Sequence, residues 1–176
     1  MLDLVALGES PGFPALTPAM GATYAEAAAV CFRHGGHEPG VVMDVRGVED
    51  CQLPVRWPPV TEQILRSRND LTDATRDGAY AVAIALALEL TGLKVVLQAK
   101  KGPDSGFDYW LGESEDSLFQ GASRLEVSGI LKDDGYEVKR RLNEKKRQVG
   151  KSDHTGLPAL VCVVEFGQPQ SHFVKK

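Results

Sequence analysis

The feature that most constrains this chain is an almost unbroken apolar run over residues 79–88, interrupted by Glu89. Alanine and leucine, which dominate the run, favour a helix, which we expect over residues 73–90. Thr72 or Asp73 would cap its start, and Gly92 suits its end. Beyond Gly78 its apolar residues lie on nearly all faces. Such a helix is buried on most sides, so other elements must surround it. The run is roughly half of what a bilayer-spanning helix needs, so we expect a central helix and no membrane segment.

The composition can supply that surrounding. Of 176 residues, 43% are hydrophobic and 25% charged, enough for a full core in one domain or one domain with an appendage. The net charge of −4 gives no global positive field toward nucleic acid or acidic lipid. Three widely spaced cysteines, Cys31, Cys51 and Cys162, form no paired motif, and a reducing compartment is the simpler reading. The first residues lack the basic segment and apolar run of a signal peptide, so a cytoplasmic location is expected.

Residues 1–20 carry three prolines and no period, and read as a loop or arm. Residues 23–32 are alanine-rich and helical. Residues 41–45 and 52–57 read as a hairpin, with Pro54 favouring an edge. Pro58 and Pro59 can open a helix reaching Arg68. After the central helix come strands over 93–99, 107–111 and 124–131, a charged helix over 132–151 and an apolar strand over 159–166. Asp133 or Asp134 can cap the charged helix. The tail from Gly167 is polar and expected to fray.

Side chains alternate between the faces of a strand. Asp108 therefore shares a face with Trp110, and Glu126 with Ser128. Two neighbouring strands in suitable register would bring Asp108 and Glu126 together. Carboxylates in apolar strands must be solvated, paired or bound to a cation. Mg2+ (or Mn2+) takes oxygen ligands and keeps several waters. The plainer alternative is a salt bridge to helix cations or a solvated strand face.

The order helix–strand–strand–strand–helix–strand over residues 70–167, with Asp108 and the Leu125-Glu126-Val127-Ser128 run, resembles the PD-(D/E)xK nuclease superfamily. The resemblance implies a restriction-endonuclease-like core: an α/β fold with a mixed central sheet flanked by helices. It implies that Asp108 and Glu126 are metal ligands. In that superfamily a lysine two residues after the glutamate helps position water, but here that position is Ser128. Lys100, Lys101 or Lys139 would have to supply the charge, or catalysis has been lost. Gln98 could also face the site.

Lys139-Arg140-Arg141 and Lys145-Lys146-Arg147 form two basic triplets on the charged helix. They could meet phosphates, with Lys139, Arg140 and Lys146 as the contacts, or form a solvated face with pairs such as Glu137 and Arg141. Cys31, His34 and His37 have zinc-like spacing but no evident fourth ligand, so a buried cysteine and helix-end histidines are preferred. No phosphate-binding glycine loop or Gly-x-Ser-x-Gly elbow occurs.

The resulting expectation is an N-terminal extension over 1–69 (arm, helix, hairpin, helix) packed on a nuclease-like core over 70–176. Its function would be metal-dependent hydrolysis of nucleic acid, DNA more than RNA. The rival is an inactive nuclease-fold module that binds nucleic acid or a protein partner.

Overall fold

A computed structural model describes residues 1–100, 102, 106–113 and 122–176. Among them, one mixed sheet of eight strands carries four α-helices. Strands β1 (Leu2–Asp3), β2 (Val42–Gly47) and β3 (Cys51–Arg56) come from the N-terminal part. Strands β4 (Lys94–Gln98), β5 (Tyr109–Gly112), β6 (Ser123–Ile130), β7 (Ala159–Glu165) and β8 (Gln170–Lys175) follow the central helix. The spatial order is β1-β3-β2-β8-β7-β6-β5-β4. Pairs β6–β7, β2–β8 and β1–β3 are parallel and the others antiparallel.

The central helix is α3 (Leu71–Thr91). It starts earlier than its apolar pattern indicates, because Asp70 accepts from the backbone N–H groups of Thr72 and Asp73 at 2.8 and 3.3 Å. Thr72 and Asp73 are thus donors to the cap. Gly92, at φ 71°, ends the helix in the left-handed region where a side chain is strained. Helix α1 (Pro18–His34) is capped by Thr17 and packs along α3, and α2 (Glu62–Ser67) is a short turn capped by Thr61. Together α1 and α3 cover one sheet face, with Leu125, Val127, Leu160, Cys162 and Phe173 in the same buried cluster as Ala28, Phe32 and Leu86.

The other face is covered by α4 (Glu137–Val149), whose Val138, Leu142 and Val149 pack on Ile130, Val161 and Val163. The order α3-β4-β5-β6-α4-β7 runs helix, three strands, helix, strand. At Gly129 the start of α3 approaches β6 so closely that a Cβ would lie 2.4 Å from the Thr75 carbonyl oxygen.

Two segments differ from the sequence reading. The C-terminal tail is strand β8, inserted between β7 and β2. Ser171 and Phe173 are buried, and the backbone ladders on both sides fix a segment too polar to announce itself. The first residues are also structured: β1 is followed by a 3-10 turn over Val5–Gly8, and Leu2, Leu4, Leu7 and Leu16 are fully buried. Burial of those four leucines, at about 2 kcal/mol each, outweighs the lack of local period. The N-terminal hairpin joins the C-terminal strands through β2 and β8. No helix among the described residues is long and apolar enough to cross a membrane.

Candidate active site

Asp108 sits immediately before β5. Its backbone N–H donates to the Leu125 carbonyl at 2.8 Å, and its own carbonyl accepts from Ala99 N–H at 2.9 Å. This double pinning comes from the β4–β5–β6 ladder and sets the carboxylate beside β6. The Tyr80 hydroxyl on α3 donates to its Oδ1 at 3.0 Å, and the Val127 N–H donates to its Oδ2 at 2.9 Å.

Glu126 lies one residue before Val127 on β6 and is 1% exposed. Lys145 reaches it from α4, with Nζ 2.5 Å from Oε1. Its Oε2 is buried and has no hydrogen-bond partner. Burial pushes the Glu126 carboxyl up to about 7, the Asp108 charge adds to the rise, and Lys145 opposes it. Asp108 and Glu126 are therefore close enough to feel one another's charge across the strand pair.

Ser128, two residues on and on the same strand face, accepts from Arg141 Nη1 at 3.2 Å. Arg141 is held in turn by Glu137 at 2.7 Å, the i,i+4 pair expected from the sequence. Arg141, Lys145 and Gln148 recur at i, i+4 and i+7, so one edge of α4 presents them together. Gln148 Oε1 accepts from Lys145 Nζ at 3.0 Å and orients it.

These groups line a cavity of about 890 Å3 between the first turns of α3 and the flank of α4. Thr72, Thr75, Arg76 and Tyr80 form one wall, and Glu137, Arg141, Lys145 and Gln148 the other. Asp108, Glu126 and Ser128 thus meet in one cavity.

The remaining residues singled out from the sequence lie elsewhere. Lys100 is exposed beyond β4 and does not line the cavity, and Lys101 lies outside the described residues. Gln98 is exposed in the β4–β5 ladder. Lys139, Arg140 and Lys146 do not line the cavity, and Arg140 is paired with Glu137 and Glu144. Phe107 leaves the face of Tyr109 and packs edge-on against Trp110 under α4. Burial pushes the Cys31 thiol up to about 12, with its contact to Thr75 opposing the rise, and His37 is bonded to the Gly167 carbonyl.

Sequence reasoning missed Lys145, Arg141, Tyr80 and Gln148 as site residues. A helical projection anchored on Val138, Leu142 and Val149 places Arg141 and Lys145 beside the buried stripe, and that signal was available. Tyr80 carried none.

Among the described residues no group of three or more His, Cys, Asp or Glu is placed to hold a metal. Both Asp108 oxygens and Glu126 Oε1 accept hydrogen bonds, which leaves Glu126 Oε2 as the one carboxylate oxygen of the pair without a donor. No family model, curated protein or solved structure matches this chain.

Proposed function

We propose that this protein is a metal-dependent phosphodiesterase acting on nucleic acid, DNA in preference to RNA, on a restriction-endonuclease-like core. The observation that carries the reading is Lys145. It brings a cation to Glu126 from α4, on the face where the superfamily's strand lysine is replaced by Ser128. Asp108 and Glu126 would hold Mg2+ or Mn2+, which when bound activates water and neutralises phosphate charge.

The chain's own groups would do the rest. Tyr80 and the Val127 N–H fix the orientation of the Asp108 carboxylate. Gln148 holds Lys145 over Glu126, where its ammonium can stabilise charge building on phosphate oxygen. Arg141 adds a second cation through its contact with Ser128.

One observation favours the rival, an inactive module that binds nucleic acid or a protein partner. Lys145 already pairs with Glu126 and Glu137 with Arg141, and Asp108 accepts from Tyr80 and the Val127 N–H, so these carboxylates have partners without a metal. A cleavage assay separates the two. Single- and double-stranded DNA and RNA are incubated with Mg2+ or Mn2+ and wild type, Asp108→Ala, Glu126→Ala, Lys145→Met or Ser128→Ala. The nuclease reading expects metal-dependent cleavage, lost at least 100-fold in the first three variants and largely kept in Ser128→Ala. Folded wild type that cleaves none of the four substrates sinks it in favour of the binding module.

A further inference from the structure

The cavity between α3 and α4 follows from where β5 stops. Strand β5 pairs with β6 only over residues 123–125, so past Leu125 this edge of β6 has no strand beside it among the described residues. Asp108 takes the Val127 N–H at that edge, and the cavity runs on from there. Residues 126–131 line it without a break, a length of about 16 Å for extended chain.

The helical walls have the same length. The α3 wall runs from Leu71 to Tyr80, about 14 Å, and the α4 wall from Glu137 to Gln148, about 16 Å. Both helices run opposite to β6. Thr75 lies against Gly129 and Arg141 meets Ser128, while Tyr80 reaches Asp108 and Lys145 reaches Glu126. Strand and helices therefore bound one elongated groove with the two acids toward one end. A volume of about 890 Å3 spread over about 15 Å gives a mean cross-section of about 60 Å2, or about 8 Å across.

That width decides the form in which a nucleic acid can enter. A duplex is too broad, since its major groove alone is about 12 Å wide. Its backbone could meet the rim of the groove, but Glu126 is 1% exposed and out of reach from there. An unpaired strand is one nucleotide thick and bends freely, so it can lie lengthwise and turn a phosphate inward. The acidic end also carries the rings of Tyr80 and Phe107. Aromatic side chains stack on a base whose faces are free, and a base inside a duplex offers none.

We propose that this groove takes nucleic acid only as a single strand, laid along β6 between α3 and α4 with a phosphate at Glu126 and Lys145. That nucleic acid is the ligand rests on the function proposed above; the dimensions of the groove decide its form.

The test is a cleavage assay in Mg2+ with labelled 20-nucleotide DNA as a single strand, as a blunt duplex and as a duplex with a single-stranded tail. Wild type is compared with Thr72→Trp. Thr72 is exposed, lines the end of the groove about 12 Å from Tyr80, and is not among the groups assigned to the chemistry. A tryptophan there fills the groove at a distance from the acids. Thermal melts check that both proteins are folded. The proposal expects the single strand to be cut at least 100-fold faster than the blunt duplex, with cuts in the tailed duplex confined to unpaired nucleotides. It expects Thr72→Trp to slow single-strand cleavage about tenfold, the worth of one lost base contact. A blunt duplex cut at a comparable rate, or Thr72→Trp as fast as wild type, overturns the inference and leaves the nuclease reading standing. If folded wild type cuts none of the three, the nuclease reading fails and fluorescence anisotropy with the same DNAs decides this one. A single strand bound about tenfold more tightly than duplex, and weakened by Thr72→Trp, upholds it. Equal binding of the two forms, or none, overturns it.

Discussion

Glu126→Gln should flatten the pH dependence of stability between pH 5 and 8. Burial holds the carboxyl at about 7 in the folded protein, against 4.5 in its absence. A raised folded value means that the folded state binds the proton more tightly than the unfolded chain. The stabilisation is therefore complete below about pH 4.5 and lost as pH rises through 7. A gap of 2.5 units corresponds to about 3 kcal/mol at full extent, of which about 2.5 kcal/mol lies between pH 5 and 8. Glutamine keeps the shape and cannot titrate. Urea unfolding of both proteins at pH 5, 6, 7 and 8 reads the difference directly. His172, whose pKa is lowered mainly by burial, gives a slope of the opposite sign below its ordinary value, but it is present in both proteins and cancels. Absolute stability is a poorer readout, because the substitution also leaves Lys145 with a neutral partner. Identical slopes in wild type and variant would refute the reasoning about Glu126. If Mg2+ binds at this carboxylate, the ion should raise wild-type stability more at pH 8 than at pH 5, with no such gain in Glu126→Gln.

Three other substitutions probe the frame around the site. Gly129→Ala would put a methyl against the Thr75 carbonyl and should cost about 1–3 kcal/mol in urea unfolding. Arg124→Met would strip donors from the Val149 and Leu157 carbonyls, Ser152 and Asp153, a loss of about 3 kcal/mol by the same measurement. Asp133→Ala should cost about 1 kcal/mol, because its carboxylate accepts from the Glu137 and Val138 N–H groups at the start of α4; a stability unchanged within error would remove it as the cap.

What could be read from the sequence follows the range of the forces involved. The central helix was legible because Ala81 to Ala87 are apolar on all sides, and only burial satisfies such a surface. The strand–strand–strand–helix–strand order was legible because each element carries its own period. Strand β8 was not, since its position depends on ladders to β7 and β2, and Phe173 alone gives little alternation. Asp108 and Glu126 could be paired in advance because strand alternation and antiparallel neighbours leave few registers. For Lys145 the apolar stripe of α4 indicates only the helix face, not the partner. It lies 19 residues from Glu126, and reaching it depends on the rotation of α4 about its axis, which tertiary packing decides.

That dependence gives α4 a role beyond covering the sheet. A strand lysine would share the rigid ladder of Glu126, whereas Lys145 is only as well placed as the helix that carries it. The helix is tied at both ends by buried or half-buried polar groups. Asp133 holds its first N–H groups, and Asp133's own N–H donates to Glu165, which is fully buried. At the other end, Arg124 on β6 holds the Val149 carbonyl and the following turn, and Lys176 also pairs with Asp153. Both anchors start from strands β6 and β7, the pair that forms the floor under α4. Between them Val138, Leu142 and Val149 fix the rotation, which sets Arg141 and Lys145 toward Ser128 and Glu126. Lys145 is thus positioned beside Glu126 by helix packing and not by the strand ladder.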